Sequence, residues 1–286
     1  MKKTKARMLR DLLESNETII APCAYDALSA KIIAEAGFKL VATSGFDMHA
    51  AMLGTPDNGQ LAFNEMIEAL GKMVDAVDVP ILADAEAGYG NAINTIRTVR
   101  TFEKAGLAGI FIEDQKLPPN CPFVKETEVV SVDEMVGKIR AAVDTRVDPD
   151  FVIVARSDAP FEEAIRRAPY YLEAGADMIK INTKTREQLI ELPKRVDALL
   201  HVGFDGGTEM TEGLTAWDAG KLGYKIVTYP TSAICASVKA MQAAMKELYE
   251  TGTDNGFLDK IMPFNDFLKF IGKEDYAELE KKYLRK

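Results

Sequence analysis

Eight short apolar runs separated by stretches with helical periodicity constrain this chain more than any other feature. The runs are Ile19–Cys23, Lys39–Ser44, Pro80–Glu86, Gly109–Asp114, Phe151–Arg156, Met178–Asn182, His201–Phe204 and Lys225–Pro230. Several lack period-2 alternation, the pattern of parallel strands covered on both faces. Between them, Ala27–Ala36, Asn64–Val77, Ala92–Ala105, Ser131–Thr145, Glu162–Ala174, Arg186–Leu199 and Thr215–Leu222 read as helices. Ser131 with Glu134 three residues on forms a capping box. Three segments, IIAEAGFKLVATS, EKAGLAGIFIED and YLEAGADMIKIN, share one texture. Each runs from helix through an Ala-Gly cap and a short turn into a buried strand, a weak internal repeat of one αβ junction. Eight parallel strands joined by right-handed crossovers predict an α/β fold of the (β/α)8, or TIM, barrel class. An open doubly wound sheet is the competing topology. It calls for a glycine-rich phosphate loop after the first strand, where this chain reads APCAYDALSA.

The length of 286 residues suits one barrel, which typically needs about 250. The expected division is a barrel over 1–250 and a C-terminal helical extension over 251–286, packed on the barrel or on a neighbouring subunit. A further helix, Ser232–Glu250, follows the eighth strand before Thr251–Gly256 breaks it. The three cysteines, Cys23, Cys121 and Cys235, make neither a disulfide framework nor a zinc pair. The basic start MKKTKARML leads into no apolar run with a cleavage site, and no segment reaches 18 apolar residues. A soluble cytoplasmic protein without a membrane span is expected. A net charge of −9 argues against nucleic acid as a partner, since phosphate binding needs a basic patch.

In a barrel the C-terminal strand ends surround the active site. Read in order, they supply Thr43-Ser44-Gly45, Asp84-Ala85-Glu86, Glu113-Asp114-Gln115, Arg156-Ser157-Asp158 and Asn182. Alternation places Asp84 and Glu86 on one side of the third strand. Two adjacent carboxylates repel unless a cation or proton lies between them. Hard oxygen ligands suit Mg2+, with Mn2+ as an alternative. An ordinary acidic strand terminus is the other reading, and Glu113 is either a further acidic group of the site or a salt-bridge partner. With His49 and His201 the two histidines of the chain and neither among these strand-end residues, a histidine-ligated zinc is disfavoured. Arg156 ends an apolar strand and needs an anion, either from a substrate or from Glu113 or Asp158. The connection QKLPPNCPFVKETEVV, from Gln115 to Val130, is long for a βα loop and reads as an active-site lid. Cys121 within it either exchanges a proton on closure or packs as a small residue.

At these residues the chain resembles the isocitrate lyase / phosphoenolpyruvate mutase superfamily. The resemblance runs from about Thr18 to Tyr249 and rests on TSG at 43–45, GTPDNG at 54–59, DAEAGYGN at 84–91, IEDQ at 112–115 and DPDFVIVARSDA at 148–159. It implies a Mg2+-dependent barrel that handles small α-oxo or α-hydroxy dicarboxylates or tricarboxylates, assembled as a homotetramer with exchanged C-terminal helices. It implies that Asp84 and Glu86 hold Mg2+ with Glu113 behind them. It further implies that Ser44, Gly45 and the Phe46 backbone bind a carboxylate, that Arg156 stabilises the enolate oxygen, that Asp57 lies near the metal waters, and that Lys116–Val124 gates the site.

The departures select among reactions. Lyases of the superfamily carry K-[KR]-C-G-H in the gating loop, and here Pro119-Asn120-Cys121-Pro122-Phe123 keeps the cysteine alone. Mutases carry K-T-N-S, with asparagine where Cys121 falls. The metal motif is usually D-x-D, and here it is Asp84-Ala85-Glu86. Asn182 stands where lyases have glutamate and mutases histidine, and Phe46 resembles the mutase side. The leading expectation is a carbon–carbon lyase cleaving a substituted malate or methylisocitrate-like 2-hydroxy acid through an enolate that Cys121 protonates. Tyr25, Asp57 or a metal-bound water is the base. Oxaloacetate decarboxylation, phosphonopyruvate P–C chemistry and a non-catalytic oxoacid-binding barrel are the alternatives.

Overall fold

The computed structural model describes residues 3–122 and 127–284. Eight parallel strands close into a barrel in sequence order. They are β1 (Ile19–Ala24), β2 (Val41–Thr43), β3 (Ile81–Asp84), β4 (Gly109–Glu113), β5 (Val152–Ser157), β6 (Met178–Ile181), β7 (Leu200–Gly203) and β8 (Tyr224–Tyr229). The open doubly wound sheet is thereby excluded. Each expected strand is present, and the textured junctions are real. Helices Ala27–Glu35, Ala92–Lys104 and Phe161–Glu173 each end one residue before an Ala-Gly pair, with Gly37, Gly106 and Gly175 in the left-handed region.

The apolar residues divide into two sets. One faces outward from the strands onto the helices and includes Val41, Ile81, Ile110, Ile153, Ile179 and Val227. The other fills the barrel, with Ile19, Ala21, Leu40, Leu82, Ala108, Val152 and Met178. Leu9 and Leu13 belong to this inner set. They come from the helix Lys5–Glu14, which the sequence pattern left without an element, as a basic start. Its partners lie at the N-terminal ends of the strands, so it plugs that end of the barrel. The opposite, C-terminal end is left for polar side chains.

Two compact units are distinguished, one up to Ile234 and one from Cys235 onward. The second consists of most of the helix Ser232–Thr251, a 3-10 turn Asn255–Lys260, and the helices Phe264–Phe270 and Lys273–Tyr283. Met241, Met245, Phe264, Tyr276 and Leu279 on it are exposed. Among the described residues no helix is long and apolar enough to cross a membrane.

Candidate active site

The C-terminal strand ends line a cavity of about 240 Å3, smaller than the roughly 300–1,000 Å3 of drug-sized pockets. Ser44, Phe46, Asp57, Asp84, Arg156 and Asn182 all line it, and so does Cys121 from the loop after β4. Glu86 and Glu113 are buried beside these residues. Phe123 and Val124, the rest of the expected gate, lie outside the described residues.

Asp84 ends β3, and its backbone N–H donates to Thr43 Oγ1 at 2.9 Å. Strand alternation does not continue to Glu86, which the sequence reading placed in the same strand. Glu86 instead lies in a turn with φ of +50°, and Tyr89 at +58° shares that unusual conformation. Non-glycine residues held there store strain and concentrate at functional sites. The turn folds Glu86 back so that its N–H donates to Asp84 Oδ1 at 2.9 Å. Lys138, buried on the helix Val132–Thr145, holds the turn by donating to the Ala87 carbonyl at 3.0 Å.

Ser44 caps a second helix absent from the sequence reading, Gly45–Leu53. The Gly45 N–H donates to Asp84 Oδ2 at 3.0 Å, so this expected substrate donor is engaged with the protein's own carboxylate. A Cβ at Gly45 would stand 2.3 Å from Glu86 Oε1, so any side chain there would displace the Glu86 carboxylate.

Asp57, Asp84, Glu86 and Glu113 therefore crowd one side of the cavity. Burial first, then Asp84, Glu113 and Asp57, pushes the Glu86 carboxyl well above the usual range. Burial likewise raises Glu113 against the pull of Arg156, and raises Asp57 against the pull of His49. Buried Glu86 Oε1 and Asp57 Oδ1 have no hydrogen-bond partner among the described residues. Such oxygens fit a hard metal ion, which would quench the repulsion. His49 offers a ring nitrogen within 4.8 Å of both groups. That ring is already engaged. Its Nδ1 faces the Gly45 carbonyl at 2.8 Å and so carries the proton, and its Nε2 accepts the Leu61 N–H at 3.2 Å. That leaves the carboxylates as the better candidate ligands.

Arg156 has found protein anions. Its guanidinium meets Glu113 at 2.9 Å and Asp158 at 3.0 Å. Burial works against its charge, but Asp158, Glu113 and Asp84 hold its pKa well above the ordinary value. Asp158 is a hub that also accepts from Gln115 Nε2 at 2.6 Å and from the Asn182 amide. Below it, Asp114 accepts from Ser157 Oγ at 2.7 Å and Tyr171 Oη at 2.8 Å. The IEDQ and ARSDA motifs thus form one buried scaffold that orients Arg156.

A fold-wide match completes the case. Residues 9–249 match the model of the family described as phosphoenolpyruvate phosphomutase. The chain belongs to this family. It is 40% identical to the 2,3-dimethylmalate lyase of Eubacterium barkeri, over 97% of this chain and 98% of the relative. It is 37% identical to the 2-methylisocitrate lyase of Aeropyrum pernix, over 98% and 91%. Among solved structures, phosphonopyruvate hydrolase in complex with oxalate and Mg2+ superposes with a TM-score of 0.90 at 30% identity, covering 99% of this chain and 100% of that one.

Within this family member, the loop after β4 is pinned at both ends. Lys116 N–H donates to the Glu128 carbonyl and Val130 N–H to the Asp114 carbonyl, each at 2.8 Å. Asn120 N–H donates to Gln115 Oε1 at 2.9 Å. Gly59 of GTPDNG lets the loop sit close, since a Cβ there would meet Pro119 Cδ at 2.8 Å. Tyr25 is the one proposed catalytic residue set apart from the cavity. It lines a surface groove with Met52, Glu65, Glu68 and Lys72. The sequence reading missed much of the rest of the cavity wall, including Cys23, Phe111, Lys180, His201, Asp205 and Thr228. Inward alternation along β6 and β7 was the available signal, obscured because MIKIN reads as a mostly apolar run.

Proposed function

We propose that this chain is a Mg2+-dependent carbon–carbon lyase that cleaves a short substituted malate into an α-oxo acid and a second carboxylic acid. The observation that carries the reading is that Cys121 lines the same small cavity as Asp84, Asp57 and Arg156. From that wall Cys121 would serve as the proton donor to the fragment that leaves the oxo acid. Kinship with a 2,3-dimethylmalate lyase and a 2-methylisocitrate lyase supports the reaction class, and the Mg2+–oxalate complex of phosphonopyruvate hydrolase supports the metal.

Asp84, Glu86 and Glu113 would hold the ion, directly or through water. Magnesium bound there supplies Lewis-acid polarisation of the oxygens of the oxo-acid half. Arg156, fixed by Glu113 and Asp158, presents its charge to the oxygen on the carbon that becomes a carbonyl. Asp57 accepts the hydroxyl proton; of the two side chains considered as base, it is the one that lines the cavity. The C–C bond breaks, its electron pair passes to the departing carboxylate fragment, and Cys121 returns a proton to that carbon. The loop after β4 excludes water and protects the carbanionic fragment. We also assign the chain to the cytoplasm and to a homotetramer. The exposed apolar side chains of the second unit support association between copies.

The test is product analysis by mass spectrometry with Mg2+ present, on 2,3-dimethylmalate, methylisocitrate, isocitrate, citramalate, oxaloacetate and phosphonopyruvate. Pyruvate or glyoxylate released with a second carboxylic acid from a malate-type substrate is the expected result. Turnover confined to oxaloacetate or to phosphonopyruvate would move the protein to decarboxylation or P–C chemistry. Binding of oxalate with Mg2+ but turnover of none of these acids would make it a non-catalytic oxoacid-binding barrel.

A further inference from the structure

The wall of the cavity away from the acidic cluster carries a lysine that the mechanism above leaves unused. Lys180 points into the barrel from β6, in register with Arg156 on β5 and His201 on β7. It lines the cavity together with Cys23, Phe111, His201 and Thr228. Its ammonium stands over the Phe111 ring, 4.6 Å from the centroid. Among the described residues it enters neither an ion pair nor a hydrogen bond.

The charged groups that face it are Arg156, Asp84, Asp158 and Asp205. Two of the three carboxylates already have close partners. Asp84 accepts the N–H groups of Gly45 and Glu86, and Asp158 accepts from Arg156, Gln115 and Asn182. Asp205 feels the lysine's charge, but from beyond the 4.0 Å of an ion pair. His201 beside it is kept neutral by burial first and by Lys180 and Arg156 after that. A buried cation that opens onto a cavity without a close anion is costly to maintain, and an anion entering the cavity relieves that cost.

We propose that Lys180 binds the carboxylate of the substrate's departing half, so that the site selects a dicarboxylate spanning from the acidic cluster to β6. The proposal rests on the lyase reading and extends it. On C–C cleavage the electron pair delocalises into this distal carboxylate, and Lys180 is placed to hold the added charge until Cys121 protonates the carbon. Asn182, one turn of the pleat above, is tied to Asp158 and leaves the charge of that end to Lys180.

The experiment compares wild type with Lys180→Met and Lys180→Arg, all with Mg2+. It measures the binding of oxalate, of citramalate and of citramalate with its distal carboxylate converted to an amide. It also measures kcat/KM with 2,3-dimethylmalate as the substrate. Oxalate probes the metal side alone. The expected result for Lys180→Met is oxalate affinity within about twofold of wild type and loss of the preference for citramalate over its amide, with kcat/KM down about 10- to 100-fold, the range of a charged hydrogen bond. Lys180→Arg should recover part of that loss. An undiminished preference for citramalate in Lys180→Met would overturn the proposal, as would an equal loss of oxalate affinity. If wild type turns over no diacid, the lyase reading fails by itself, and the citramalate–amide comparison still decides the role of Lys180. Thermal melts establish that each variant folds, with Lys180→Gln replacing Lys180→Met if needed.

Discussion

The two walls of the cavity handle buried charge in opposite ways. On the β3–β5 side, Arg156 is clamped between Glu113 and Asp158, and Gln115 and Asn182 donate to Asp158 to hold that clamp. On the β6–β1 side, Lys180 has an aromatic ring beneath it and, among the described residues, no carboxylate within ion-pair distance. A saturated cation is positioned, whereas an unsaturated one is available. The contrast separates the part of the site that is fixed machinery from the part that reads the particular substrate.

The largest effect should come from the acidic side. Asp84→Ala removes a carboxylate that faces the cavity and anchors both the Gly45 and Glu86 backbones. Turnover of the malate-type substrate should fall by up to about 10^3-fold, the upper end for losing a preorganised electrostatic group. The Mg2+-dependent rise in melting temperature should vanish with it. An unchanged Mg2+ shift would place the ion elsewhere and remove the basis for the contrast between the walls.

The next effect is on stability. Arg156→Met strands Glu113 and Asp158 as buried carboxylates and should destabilise the fold by about 3–5 kcal/mol. Lys180→Met removes a cation with no close anion and should be neutral or stabilising, by about 0.5–2 kcal/mol. Denaturant unfolding measures both, and similar losses in the two variants would mean that Lys180 is paired after all. Cys121→Ala should lower kcat about 10^2-fold, the lower end for a general acid, while leaving oxalate affinity intact. A loss confined to KM would make Cys121 a packing residue of the loop.

The barrel was legible because buried parallel strands and Ala-Gly junctions are local patterns, and the local pattern agrees with the global fold. The acidic side was legible for a related reason, since its residues sit in compact motifs at strand ends. The sequence alone does not show how Glu86 reaches Asp84. That depends on a left-handed turn held by Lys138, 52 residues away in the chain. The helices Lys5–Glu14 and Gly45–Leu53 were hidden by a basic start and by a Ser-Gly pair that resembles a turn. Tyr25 stands one residue beyond the end of β1, where chain order suggests the cavity but the side chain lines an outer groove. Lys180 was hidden in an apolar run, because a single inward cation does not disturb the reading of a buried strand.

The last effect is one of pH, and it concerns Asp47. It lies in the first turn of the helix Gly45–Leu53, fully buried, with neither carboxylate oxygen hydrogen-bonded among the described residues. Burial first, and then Asp205, pushes its carboxyl from the ordinary 3.8 up to about 8. At neutral pH the folded protein therefore keeps a proton here that the unfolded chain has lost. Stability contributed by this group is fully present below about pH 4 and is lost as pH rises through about 8. Between those limits the slope is about 1.4 kcal/mol per pH unit. Asp47→Asn cannot ionise, so its unfolding free energy should gain on wild type steadily from pH 5.5 to 7.5, as read by urea denaturation at matched ionic strength. Parallel curves for the two proteins would mean that Asp47 is ionised in the fold.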